Sequence, residues 1–222
     1  MVYFIGEMTG CFIARIGITI TYGDNMTLTN SFSFKSLLAG LCMAMALGGA
    51  NAAEVGGVRF NDTATVGGKE LKLNGVGMRT KFFIKVYAAG LYLPEKSSNA
   101  AAIQKMDGPR RIQLVMMREL SSDDFGKAFM DGLNSNTTEQ ERSALMNQTM
   151  QIGKVFAMVP GLKKGDVLFL DWIPGTGTVT SLNGRKIGDT IQDVAFYNAL
   201  LRIWIGDKPA DANLKPGLLG TK

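Results

Sequence analysis

Histidine is absent from the 222 residues, and the only two cysteines, Cys11 and Cys42, stand near the start of the chain. These gaps exclude much familiar chemistry. No Ser-His or Cys-His pair can form, and no zinc centre of the usual nitrogen and sulfur type. A catalyst built on this chain would have to use Lys, Arg, Tyr, Asp or Glu. Lys and Arg never run longer than two, and no basic stripe carries interleaved aromatics. The formal charge of +5 is therefore mild and does not point to nucleic acid.

Long apolar runs are also lacking. From Met26 the chain reads MTLTNSFSFKSLLAGLCMAMALGGANAAEV. Its apolar core, Ser36 to Leu47, is about a dozen residues, short of the roughly 20 a spanning helix needs. With Lys35 ahead of it and the small-x-small triplet Ala50-Asn51-Ala52 behind, residues 26–52 read as a secretory signal peptide. Residues 1–25 read as an upstream extension ahead of the true start, and 53–222 as a single domain with no membrane span. Both cysteines precede Ala53, so the mature chain needs no disulfide in an oxidising compartment. Arg15 and Lys35 cancel Glu7 and Asp24, so the mature chain keeps the +5. Export to the periplasm of a Gram-negative bacterium is the expectation.

What remains reads as α+β. Strand signals come first: Val58 to Phe60, Thr63 to Val66 and Lys69 to Leu73, with Gly67-Gly68 as a hairpin turn. A short helix is expected over Ser97 to Met106, and a strand over Arg110 to Leu120. Ser121 or Ser122 caps a helix whose Phe125, Phe129 and Leu133 fall four apart. Thr138 with Glu141 is a capping box for one long helix running to Val159. Strands over Asp166–Ile173 and Thr176–Leu182 lead to an Asn183-Gly184 turn. Asp189 is expected to cap a last amphipathic helix, and the tail after Gly206 to be loosely ordered. Grouped strands with grouped helices predict an antiparallel sheet with helices on one face.

The segment GMRTKFFIKVYAAGLYLP, residues 77–94, is hard to reconcile with an ordinary strand. It sets Arg79, Lys81, Lys85, Tyr87 and Tyr92 into the greasiest stretch of the domain. Together with RELSSDDFGKAFMDGL and FYNALLRIWIGDKP it resembles the chalcone isomerase superfamily, and most of all its bacterial secreted branch. That resemblance implies an open-faced β-sandwich, a large antiparallel sheet covered by a layer of helices. It also implies a cleft. The flavonoid enzymes of the superfamily line theirs with an arginine, a lysine, a threonine, a tyrosine and an asparagine. Here the arginine is kept as Arg79, and Tyr87 stands at the threonine of that motif. Met116 replaces the lysine, Phe125 the tyrosine, Gly132 the asparagine, and Ile203 the threonine of the last helix. With those donors gone, chalcone-flavanone isomerisation is not expected.

The fatty-acid-binding members match better, since they hold a carboxylate with an arginine and a tyrosine at the positions of Arg79 and Tyr87. A guanidinium fork suits a carboxylate, and the phenol adds a second donor. Eight residues of straight strand would span about 26 Å, too far for one carboxylate, so the chain is expected to fold back around Thr80 to Phe83. The candidate ligand-binding set is Arg79, Tyr87, Tyr92, Arg118, Met116, Phe125 and Trp204, with no cofactor and no catalytic residue assigned. Each has a plainer alternative. Arg79 could pair with Glu119, Arg118 with Asp123 or Asp124, and the apolar members could simply be core. The leading expectation is a non-catalytic binder of a small amphipathic carboxylate such as a fatty acid. The alternatives are an isomerase or intramolecular lyase acting on an unsaturated carbonyl compound, and a structural or partner-binding envelope protein.

Overall fold

A computed structural model of the chain describes residues 16–19, 29–32 and 52–222. In the N-terminal part, β1 (Ile16–Thr19) pairs antiparallel with β2 (Thr29–Phe32). Apart from Thr29–Phe32 and Ala52, the stretch read as a signal peptide lies outside the described residues.

The second part is built on a seven-stranded antiparallel sheet. It comprises β5 (Thr63–Val66), β6 (Lys69–Lys81), β7 (Ile84–Leu93), β8 (Arg110–Met116), β11 (Val167–Ile173), β12 (Gly177–Leu182) and β13 (Arg185–Lys186). Their spatial order is β13-β12-β11-β8-β7-β6-β5. Gly67 and Gly68 turn between β5 and β6 with positive φ at both, as a two-residue hairpin requires. Two short pairs complete the strands: β3 (Ala53–Val55) with β4 (Val58–Phe60), and β9 (Leu120–Ser121) with β10 (Gly161–Leu162).

One face of the sheet is covered by helices: α1 (Ala100–Lys105), α2 (Ser122–Ser135), α3 (Glu139–Ala144), α4 (Met146–Ala157), α5 (Val194–Ile205) and α6 (Leu214–Leu218). Along β8 the alternation is clean, with Arg110, Ile112, Leu114 and Met116 buried in the helix-side core. Helix α5 is buried almost all round, because Phe196, Tyr197, Leu200, Leu201, Ile203 and Trp204 cover several of its faces. The other face carries a smaller core of Phe60, Val66, Leu71, Leu73, Ala88 and Tyr92, packed under the β3–β4 hairpin. Strand β7 is therefore covered on both sides from Val86 to Leu93, which accounts for its unbroken apolar run. This is the open-faced sandwich expected from the sequence.

Three expectations are corrected. The long helix after Thr138 is two helices, α3 and α4, because Leu145 leaves helical geometry at φ −99°, ψ 12°. Asp193, not Asp189, caps α5, its carboxylate accepting from the Ala195 amide at 2.8 Å. The tail is not loose: it forms α6, with Leu214 and Leu218 fully buried. Its backbone lies directly on β6. A side chain on Gly77 would sit 2.6 Å from the Leu214 carbonyl oxygen, and one on Gly75 would collide with the Gly217 carbonyl. Beside them the extra residue of a β-bulge, Asn74, donates to Leu218 O at 2.7 Å and accepts from the Ser97 amide.

Candidate functional site

The fold-back expected near Thr80 is a two-residue turn. Lys81 pairs with Ile84, and Phe82 and Phe83 both take positive φ, at 50° and 65°. For a residue with a Cβ that conformation costs about 1–2 kcal/mol each. The hairpin brings Arg79 opposite Tyr87, and the next strand brings Met116 opposite Tyr87 from the other side. Directly opposed residues share a face, so Arg79, Tyr87 and Met116 form a row across β6, β7 and β8 on the helix side. A register shift just past Arg79 places Val86 as the extra residue of the bulge, and Val86 joins Tyr87 in the same core.

Tyr87 is the centre of the arrangement. It is buried, with the Arg79 guanidinium carbon 5.6 Å from its ring centroid. Trp204 of α5 donates its indole N–H to the Tyr87 hydroxyl at 2.8 Å. That bond occupies the acceptor side of the hydroxyl, and among the described residues its own proton has no acceptor. Burial pushes the Tyr87 phenol above its ordinary value, while the nearby Arg79 charge and the Trp204 bond pull it back and Asp211 adds to the rise. The phenol is thus a donor at neutral pH.

Arg79 is half-buried, and among the described residues no carboxylate lies within 4.0 Å of its guanidinium. Glu119 does not pair with it. Asp211, whose charge reaches Tyr87, is engaged instead by the Thr80 amide at 2.8 Å and the Asn213 amide at 2.7 Å. No sequence signal pointed to Asp211, which lies 131 positions along the chain from Thr80. The glycine of the Gly77-x-Arg79 motif has a separate purpose: it admits the α6 backbone against β6 beside the arginine.

The remaining candidates divide. Phe125 stacks edge-on against Phe156 at 5.0 Å, Phe156 against Phe129 at 4.9 Å, and Phe129 lies 6.5 Å from Trp204. Met116 and Trp204 thus stand beside Tyr87, and Phe125 belongs to the same core through Phe129 and Phe156. Beside Phe125 and Phe156 the free space is about 10 Å³, lined also by Val159, Leu162, Leu168 and Ile187. That is no more than one water molecule fills. A larger cavity of about 190 Å³ lies elsewhere, among Leu133, Arg142, Leu145, Met146 and Met150 of the helix layer. Tyr92 is not brought to Tyr87. It sits in the core of the opposite face and donates to Asn61 O at 3.1 Å. Arg118 is exposed in the loop after β8, and neither Asp123 nor Asp124 forms an ion pair with it. Among the described residues no cluster of three or more His, Cys, Asp or Glu could hold a metal ion.

At Gly132 a side chain would meet Ile203 at 2.8 Å, so α2 and α5 close together where the flavonoid enzymes carry an amide. A side chain at that position would require Ile203 to shift.

A large antiparallel sheet covered on one face by helices is the chalcone isomerase-like fold. The sequence profile of the chalcone isomerase-like family matches residues 52–220, and the chain belongs to that family. Among solved structures it is similar to a fatty-acid binding protein of Arabidopsis thaliana, with a TM-score of 0.60 and 17% identity. The match covers 76% of this chain and 96% of that one. No curated protein sequence matches the chain.

Proposed function

We propose that this protein binds a small amphipathic carboxylate such as a fatty acid, without transforming it. One observation carries the reading. The half-buried Arg79 guanidinium stands over Tyr87 with no carboxylate of its own among the described residues, so an acid from outside completes it. The Tyr87 proton, directed away from Trp204, supplies the second bond. Met116, Phe125 and Trp204 are the apolar groups that the ligand's chain displaces, and their closed packing means that binding opens the helix layer over β7 and β8. The fatty-acid binding Arabidopsis protein of the same fold supports this ligand class. The site works, in this reading, after export to the periplasm; a mature N-terminus at Ala53 or Glu54 by intact-mass analysis tests that part.

Calorimetry with a long-chain carboxylate tests the binding. Arg79→Ala should weaken it by about 1.5–3 kcal/mol, the range for a charged hydrogen bond. The matching methyl ester should bind weakly and be indifferent to the substitution. Equal binding of acid and ester would overturn the proposal. A second reading rests on the same pair: a protonated phenol beside a cation could stabilise the developing oxyanion of an unsaturated carbonyl compound. With Phe125, Gly132 and Met116 at the polar positions of the flavonoid enzymes, naringenin chalcone should cyclise at its background rate. Saturable turnover abolished by Arg79→Ala would favour that isomerase reading.

A further inference from the structure

The tip of the β6–β7 hairpin is at odds with the rest of the surface. Phe82 is 83% exposed, Phe83 is fully exposed, and Ile84 beside them is half exposed. Both phenylalanines sit at positive φ, where a two-residue hairpin turn ordinarily takes Asn-Gly. A turn alone gives no reason for two large aromatic rings in the least favourable backbone conformation, standing in water. The flanks are cationic. Lys81 places its ammonium 5.9 Å from the Phe82 ring, and Lys85 is exposed on the returning strand. Exposed Arg118 lies at the same end, one residue after Met117, whose amide donates to Val86 O. The acids there are Glu119 and Asp211, and Asp211 is held by the Thr80 amide.

We propose that this tip seats the protein on an anionic phospholipid surface, with Phe82 and Phe83 in the interface and Lys81 and Lys85 on the headgroups. Shape favours a bilayer over a protein partner. Two rings offer about 400 Å² at most, well under the roughly 800 Å² each partner gives to a stable protein interface. A bilayer needs no matching surface, only apolar area and charge of the opposite sign. Among the described residues no helix is long and apolar enough to cross a membrane. The proposal does not depend on what Arg79 holds.

Co-sedimentation of the protein with vesicles of phosphatidylglycerol and phosphatidylethanolamine tests it. Wild type should partition onto them. The double variant Phe82→Asn/Phe83→Gly should lose about tenfold or more of that affinity. It should also melt at a higher temperature, because the new residues suit the turn, so lost binding cannot be blamed on misfolding. Lys81→Ala and Lys85→Ala should each lose about fivefold on anionic vesicles and change nothing on vesicles of phosphatidylcholine alone. Wild type that stays in the supernatant, or a double variant that binds as wild type does, overturns the proposal. So does concentration-dependent self-association of wild type, without vesicle binding, that the double variant abolishes, since the tip would then belong to a protein contact.

Discussion

Two places on the sheet join an arginine to a buried tyrosine, and they are resolved differently. At the β8–β11 end, Arg111 grips Asp171 with two bonds of 2.6 Å while its guanidinium lies 4.4 Å from the Phe169 ring. Next to it, buried Arg110 donates to Asn198 at 2.8 Å and to Ile103 O at 3.0 Å, and the Tyr197 hydroxyl reaches the carbonyls of Arg110 and Leu170. The charged groups there are answered from within the chain, although Arg110 Nε keeps no partner. At the β6–β7 end, Arg79 has no acid and the Tyr87 proton no acceptor among the described residues. Residue types are shared, so type alone does not separate an arginine that holds the fold from one that, in the reading proposed above, takes a ligand. The difference lies in whether the partners are already there.

Breaking the satisfied end should have the largest effect. Arg111→Ala leaves the Asp171 carboxylate buried and unpaired, so urea unfolding should show a loss of about 3–5 kcal/mol, with carboxylate affinity per folded molecule unchanged. Gly77→Ala attacks the other end from its backbone, forcing a methyl group against Leu214 O. It should cost about 1–3 kcal/mol and speed proteolysis of the C-terminal segment. Tyr87→Phe removes the free donor, and calorimetry should register a loss of about 0.5–1.5 kcal/mol in carboxylate binding. Arg79→Ala, by contrast with Arg111→Ala, should shift unfolding stability by under about 1 kcal/mol, since no internal acid is orphaned. A stability loss as large as that of Arg111→Ala would erase the distinction between the two ends.

The smallest effect is confined to alkali. Burial pushes the Tyr92 phenol up to about 12, with Arg111 pulling it down and Asp62 up. In the unfolded chain it titrates near 10. Its contribution to stability is therefore whole below about pH 10 and is lost as pH rises toward 12. Unfolding free energies of Tyr92→Phe should fall less steeply than those of wild type over that window.

Much of this architecture was legible because local rules and the global fold agree. The Gly67-Gly68 turn, the Thr138–Glu141 capping box and the Asn183-Gly184 turn all form where their residues place them. So does the fold-back that pairs Arg79 with Tyr87, which follows from strand length once the family resemblance asks both residues to reach one carboxylate. Tyr92 is a case where the signal was present. It lies five positions beyond Tyr87, an odd number, so the period of two sends the two side chains to opposite faces. The order of the tail was not legible. A five-residue helix containing Pro216 and Gly217 has weak propensity, and what holds it is contact with β6 far away in sequence. Nor did periodicity show that Phe125, Phe129, Phe156 and Trp204 close on one another, because helical spacing fixes which face is apolar but not how rings interlock.

That tail also imposes an order of assembly. Asn74 meets Leu218 across 144 positions, and Gly75 and Gly77 wait for a backbone made long after them. A nascent chain can pair its seven strands long before this and still lack the piece that covers β6. The strand bearing Arg79 is thus covered only once α6 has been made, and a chain lacking Leu214–Leu218 would expose its glycine-lined groove to any passing strand or helix.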